Sequence, residues 1–170
     1  MGTVTIRRDN PNALNDLAKT LQPGVVRIGW FPSARYDDEK NTPVAAIAAQ
    51  NEYGNPSKNI PARPFIRPAI AHNQNKWSDI GRRGLKAVLA KKSTVLAVLQ
   101  NIGQAGVDDV QYQINKVFSP PLAPSTIAAR LHRRKFTGQL SELQSKTISK
   151  PLIDTGHMQA TVSYEIGSGS

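Results

Sequence analysis

The triplet Asp154-Thr155-Gly156 is the pattern in this sequence that comes nearest to a known catalytic one. Aspartic proteases hold each of two carboxylates in a tight turn bounded by glycine, and the pair shares one proton. A chain with a single triplet would have to dimerise to supply the second carboxylate. The residues after the triplet are not the small ones that such an enzyme carries, and too few remain to build a supporting barrel. We therefore expect no hydrolase at Asp154.

A structural role explains the same segment more simply. Pro151 fixes the entry of the chain, Asp154 caps a short helix or turn, and Gly156 gives the backbone freedom that the bend needs. Apolar and polar residues then alternate from Val162 to Ile166, which is the pattern of a strand with one buried face. The segment is predicted to fasten the preceding part of the chain to the core.

The sequence offers no other catalytic or metal-binding pattern. It has no cysteine, which excludes disulfides, thiolate metal sites and cysteine nucleophiles. His72, His132 and His157 have no ligand partner at the spacing that metal sites use. The acidic run 37–39 is interpreted as a solvated turn, and the segment 81–86 lacks the spacing of a phosphate loop. We therefore predict no catalytic residue, no cofactor and no metal ion.

Positive charge is the strongest functional signal in the composition. The formal charge of +10 concentrates polyanions or acidic protein surfaces near the chain. Two basic stretches stand out, "RPFIRP" at 63–68 and "RLHRRKF" at 130–136. Non-specific contact with DNA phosphates and docking on an acidic protein surface both fit them. The candidate interface or DNA-facing residues are Arg63, Phe65, Arg67, Arg130, Arg133, Arg134 and Lys135.

Hydrophobic spacing, together with proline and glycine, predicts the elements that position these residues. They are a helix over 10–21, a strand over 25–30, a helix after Thr42-Pro43 that Gly54 ends, an extended segment over 55–68, a helix from Ala69, a second long helix over 94–118, and a short helix around Ile127 and Leu131. In the second long helix, Gly103 and Gly106 are expected where another helix packs closely. Asp109 is expected on its outer face.

The predicted fold class is α+β: a small antiparallel sheet packed by two or three helices, with a long mobile loop or arm. Residues 1–24 are assigned to an N-terminal helical extension and 25–166 to a single domain. Within that domain, 132–150 is the mobile basic loop, and 167–170 is a flexible tail. The first residues lack the apolar core of a secretory signal, and no apolar run reaches the roughly 20 residues that span a bilayer. We expect no contact with a membrane.

Three stretches in order give a resemblance to a known family. They are "AAQNEYGNPSKNIPARPFIRPAI", "PPLAPSTIAARL" and "KPLIDTGHMQATVSYEI". Together they resemble the tail-completion or neck proteins of long-tailed bacteriophages and prophages, which are also called minor tail or virion morphogenesis proteins. The likeness covers roughly residues 25 to 166, so the helix over 10–21 is an addition to the shared core.

The resemblance implies a non-enzymatic structural protein of the virion that is assembled in the host cytoplasm. Members of this family are thought to form a ring, by resemblance a hexamer, at the head-proximal end of the tail and to help join tail to head. The implied partners are further copies of the chain, a tail terminator or tail tube protein, and head-tail connector proteins, with non-specific contact to packaged DNA. A tail terminator or connector role, and a free DNA-binding module, remain as alternatives.

Overall fold

The computed structural model describes residues 24–133 and 148–168. In chain order the elements are β1 (Gly24–Gly29), α1 (Val44–Tyr53), a short 3-10 turn (Pro56–Lys58), α2 (Ile66–Leu89), α3 (Val95–Lys116), α4 (Pro124–Arg133), α5 (His157–Ala160) and β2 (Ser163–Ser168). A two-stranded antiparallel sheet packs against helices, so the predicted α+β class is confirmed. No helix in the described ranges is both long and apolar enough to cross a membrane.

The sheet joins the first and the last described elements of the chain. β1 and β2 pair antiparallel, with Val26 opposite Ile166 and Ile28 opposite Tyr164. These four side chains face inward, while Arg27 and its partner Glu165 face solvent. The predicted alternation of the closing strand is therefore confirmed, because among the described residues it is the inward face of the sheet that packs against helix.

Helix α3 lies between the sheet and α2, and its glycines make the approach to the sheet close. A Cβ atom on Gly103 would collide with the Tyr164 ring, and one on Gly106 would meet the Ile28 side chain. The prediction that another helix packs at these two glycines is wrong, because the strands occupy that face. Helices α2 and α3 approach each other closely at Gly84 of α2, since a Cβ there would lie 2.5 Å from Val98 of α3.

Two glycine substitutions in this layer are expected to act in opposite directions. Gly103→Ala forces the Tyr164 ring to move, and such overpacking costs about 1 to 3 kcal/mol of unfolding free energy. Gly81→Ala places its Cβ at an ordinary 3.6 Å from Ile102, so it gains the roughly 1 kcal/mol of helix propensity that glycine lacks. Urea unfolding of both variants checks the pair. Equal stability changes of the same sign would contradict the close approach of β2 to α3.

The hydrophobic core lies where the N-terminal part of α2 meets α1, α3 and the 151–162 segment. Phe65 and Val44 are fully buried there, and Ile114 is 1% exposed. The Trp30 indole meets the Phe65 ring edge-on, with the ring centroids 5.8 Å apart, and its Nε1 donates to the carbonyl of Met158 at 2.8 Å. The core thus connects β1, α2 and the closing segment.

Several predicted boundaries differ from the structure. α2 begins at Ile66, so Pro68 lies in its first turn, where its missing N–H has no helical partner to lose. Gly167 and Ser168 belong to β2 and not to a flexible tail, because they pair with Val25 and Gly24. Gly24 is likewise part of the sheet, and the rest of the predicted N-terminal extension lies outside the described residues.

The prediction that Asp109 lies on the outer face of α3 is wrong. Its carboxylate is buried and accepts hydrogen bonds from the Lys76 ammonium at 2.7 Å and the Trp77 indole at 2.8 Å. It therefore ties α3 to α2. A charged residue usually faces solvent, but here two donors on α2 satisfy the buried Asp109 carboxylate.

Candidate functional site

Glu52, at the end of α1, organises the start of α2. Its side chain is 1% exposed. One carboxylate oxygen accepts the backbone N–H groups of Phe65 and Ile66 at 2.7 and 2.9 Å, and the other accepts the Arg67 Nε at 2.9 Å. A carboxylate at a helix N-terminus satisfies N–H groups that have no helical partner and also complements the helix dipole.

The pKa of Glu52 reflects this network. Burial by itself would raise the pKa of the carboxyl, but the N–H of Phe65, the Arg67 guanidinium and the N–H of Ile66 outweigh burial. The pKa is therefore held below its ordinary value, and the group carries a charge at neutral pH. α1 and α2 are thus locked together through a charged group inside the protein.

Arg63 joins the same segment to the loop after α3. It is 5% exposed, and its guanidinium donates to the carbonyls of Pro120 and Pro121 at 2.7 and 2.9 Å. A proline-rich loop has few N–H groups of its own, so its carbonyls need donors from elsewhere when they are buried. The planar guanidinium supplies two donors at once.

Arg130, on α4, holds the returning chain in the same manner. It is 5% exposed, and Nη1 donates to the carbonyls of Ile148, Lys150 and Ile153 at 3.0, 2.8 and 3.1 Å. Nη2 donates to the carbonyl of Pro151 at 3.2 Å. The buried Arg130 side chain therefore fixes the backbone before and after Pro151.

Asp154 pairs with the arginines of α4. Its carboxylate lies 2.7 Å from Arg133 Nη1 and 3.6 Å from Arg130 Nε. The prediction that Asp154 caps the following helix is wrong, because α5 has Gly156 at its N-cap position and no side-chain cap. The Thr155 hydroxyl instead accepts the N–H of His157 at 3.3 Å.

A cleft of about 310 Å³ lies beside this ion pair. Tyr36, Arg130, Arg133 and His157 line it with other residues, and Asp154 is the one carboxylate among the described residues of this lining. His157 Nε2 lies 2.8 Å from the carbonyl oxygen of Arg35. Burial and the nearby charge of Asp154 raise the pKa of Tyr36.

The predicted bend at Gly156 is confirmed, since its φ is +80°. Gly156→Val is expected to destabilise the fold by about 1 to 2 kcal/mol, because left-handed backbone is strained for a β-branched residue. No atom lies within 4 Å of a Cβ at this position, so strain and not collision is the cause. Thermal unfolding checks it, with Gly156→Asn as the matched control, since asparagine tolerates this conformation better. Equal losses for both variants would contradict backbone strain.

The candidate interface residues fall into three groups. Phe65, Arg63 and Arg130 are buried, so the prediction that they face a partner is corrected: their side chains serve the core and the backbone of this chain. Arg67 and Arg133 are about 60% exposed at the side chain while pairing with Glu52 and Asp154. Arg134 and Lys135, with most of the predicted basic loop, lie outside the described residues.

The acidic run near residue 38 has a local structural use. The Asp38 carboxylate accepts the backbone N–H of Thr42 at 2.8 Å and its hydroxyl at 2.7 Å. These two hydrogen bonds lower the pKa of the exposed Asp38. Within the described ranges no three histidine or acidic residues gather into a group that could hold a metal ion.

Comparison of the chain with protein-family models, with curated proteins and with solved structures gave no match. The likeness to tail-completion proteins therefore rests on the three stretches of sequence alone. The structure shows which contacts the residues of those stretches make within this chain.

Proposed function

We propose that this protein is a non-enzymatic structural component of a phage neck, which forms an oligomeric ring at the head-proximal end of the tail and helps join tail to head. One observation supports the proposal most. Arg63 of the first stretch donates to the Pro120 carbonyl of the second, and Arg130 of the second donates to the Lys150 carbonyl of the third, while Glu52 joins two parts of the first stretch. Residues far apart in sequence thus act as a single frame, which lies mainly within the stretches that carry the resemblance.

The chemistry of the frame favours a structural role. Each charged group in it is satisfied by backbone atoms or by another charge of the same chain, as the Glu52, Arg63 and Arg130 contacts illustrate. Such groups hold loops in place and leave the surface of the protein available for other copies. In a ring, each subunit contacts its neighbours through two different surfaces, so a rigid frame with distinct ends suits it.

Deletion of the gene from the phage or prophage that carries it tests the proposal. The expected result is filled heads and complete tails that fail to join, seen by electron microscopy of the lysate. Supplying the protein from a plasmid should restore joined particles. Normal virions from the deletion would overturn the proposal. Tails of abnormal length would favour the tail terminator alternative.

A further inference from the structure

The last turns of α2 and the turn that joins it to α3 carry the densest exposed positive charge in the described part of the chain. We name the hairpin tip by its five exposed cations: Arg82, Arg83, Lys86, Lys91 and Lys92. One carboxylate, Asp79, lies in the same stretch and pairs with Arg82 at 2.6 Å. In the described ranges the other four cations have no carboxylate within ion-pair distance. Their charge is therefore directed to solvent or to a ligand.

Cations elsewhere in the described ranges are more often used within the chain. Lys76 and Arg67 pair with buried carboxylates, Arg130 and Arg133 pair with Asp154, and Arg63 donates to backbone carbonyls. The described arginines of the two basic stretches are thus held by carboxylates or backbone carbonyls of the chain. In the described ranges, the exposed cations without a carboxylate partner are most closely spaced along the sequence at the hairpin tip.

The backbone of the tip gives a second, independent observation. Lys91 has φ of +56°, and it follows the C-cap of α2. The N–H groups of Lys92 and Lys91 bond to the carbonyls of Ala87 and Val88 at 2.8 and 2.9 Å, which is the helix ending that normally has glycine at this position. Lysine thus stands at a left-handed position where glycine would be less strained.

The ordinary explanation of these cations is the helix dipole, which favours positive charge in the last turn. It accounts for Lys86 and contributes at Lys91. It does not account for Arg82 and Arg83, which lie before the last turn of α2, or for a strained lysine where glycine would be easier. A ligand with many negative charges explains all five.

We propose that the hairpin tip binds the phosphate backbone of duplex DNA without sequence preference. Arg83 and Lys86 are three residues apart on α2, which is about one helical turn, so both charges can reach successive phosphates on one side of a groove. The stretch 81–93 has no asparagine or glutamine to read adenine edges. Leu85 and Leu89 are 44% and 50% exposed, which is ordinary for surface leucines, so charge and not an apolar groove distinguishes the tip. The inference does not depend on the neck role.

The test measures binding of the purified protein to a fluorescein-labelled 30-base-pair duplex of mixed sequence by anisotropy over a series of KCl concentrations. In the tip variant Arg83, Lys86, Lys91 and Lys92 are all replaced by glutamine. Loss of four phosphate contacts is expected to lower the slope of log K against log salt by about 3 to 4, and to weaken binding at 50 mM salt by at least about tenfold. The matched control replaces Arg27, Lys40, Lys58 and Lys116, four exposed cations on other surfaces.

A single substitution distinguishes a loss of DNA binding from a loss of stability. Lys91→Gly removes one charge and the backbone strain together, so the variant should unfold at a higher temperature yet bind the duplex with a slope smaller by about 0.9. Retention of wild-type affinity by the tip variant would overturn the proposal. Equal losses of affinity in the tip and control variants would also overturn it, as would no binding of the duplex at 50 mM salt. If poly-glutamate displaced the labelled duplex as effectively as unlabelled duplex does, the result would indicate an acidic protein partner and would overturn the proposal too.

Discussion

Glu52→Ala is expected to destabilise the folded chain by about 3 to 5 kcal/mol, among the largest effects of any single substitution. The carboxylate is buried and accepts the N–H groups of Phe65 and Ile66 together with the Arg67 guanidinium. Its removal leaves buried donors without acceptors and a cavity at the joint of α1 and α2. Urea unfolding followed by circular dichroism measures the loss.

The same residue should make stability depend on acid. The folded-state pKa of Glu52 lies below its unfolded value, so its contribution is present above the unfolded value of about 4.3 and is lost as pH falls through the folded pKa. Glu52→Gln, which cannot titrate, should remove this part of the acid sensitivity. The matched control is Asp79→Asn, an exposed pair with Arg82, expected to change stability by less than about 0.5 kcal/mol. Equal effects at the two positions would contradict a buried cap.

Arg130→Ala is expected to cost about 3 to 5 kcal/mol, since four backbone carbonyls and the Asp154 carboxylate lose a shared donor. Arg130→Lys should recover little of the loss, because an ammonium cannot reproduce the planar fork that reaches carbonyls on both sides of the turn. Hydrogen exchange should also quicken around residues 148–153, which the guanidinium holds.

Arg133→Ala provides the control for that result. Arg133 lies on the same helix and pairs with the same carboxylate, but its side chain is 61% exposed. The expected loss is below about 1 kcal/mol, as for other exposed ion pairs. If Arg130→Ala were as mild as Arg133→Ala, the carbonyl contacts would not be holding the closing segment.

Local patterns in the sequence predicted the elements well. The strand at β1, the helix ended by Gly54 and the bend at Gly156 follow from residue types that act over a few positions. The antiparallel closing strand follows from the alternation of its side chains. These features depend on short-range sterics, which the sequence displays directly.

Tertiary partners could not be predicted in the same way. Glu52 and the N–H of Phe65 are 13 residues apart, and Arg63 reaches a carbonyl 57 positions later. Nothing in the spacing distinguishes an arginine that serves buried carbonyls from one that faces DNA. The sequence patterns therefore assign Phe65, Arg63 and Arg130 to a surface, whereas their side chains are buried within this chain.

The register of the sheet has a consequence for how the protein is made. Gly24 lies opposite Ser168, so β1 leaves the ribosome long before the strand that completes its hydrogen bonds. Until β2 emerges, the Gly103 and Gly106 face of α3 has no cover from Tyr164, although the α2–α3 hairpin can already form through local contacts. A product truncated before β2 would keep that face exposed and become a substrate for proteases. Only complete chains would then persist.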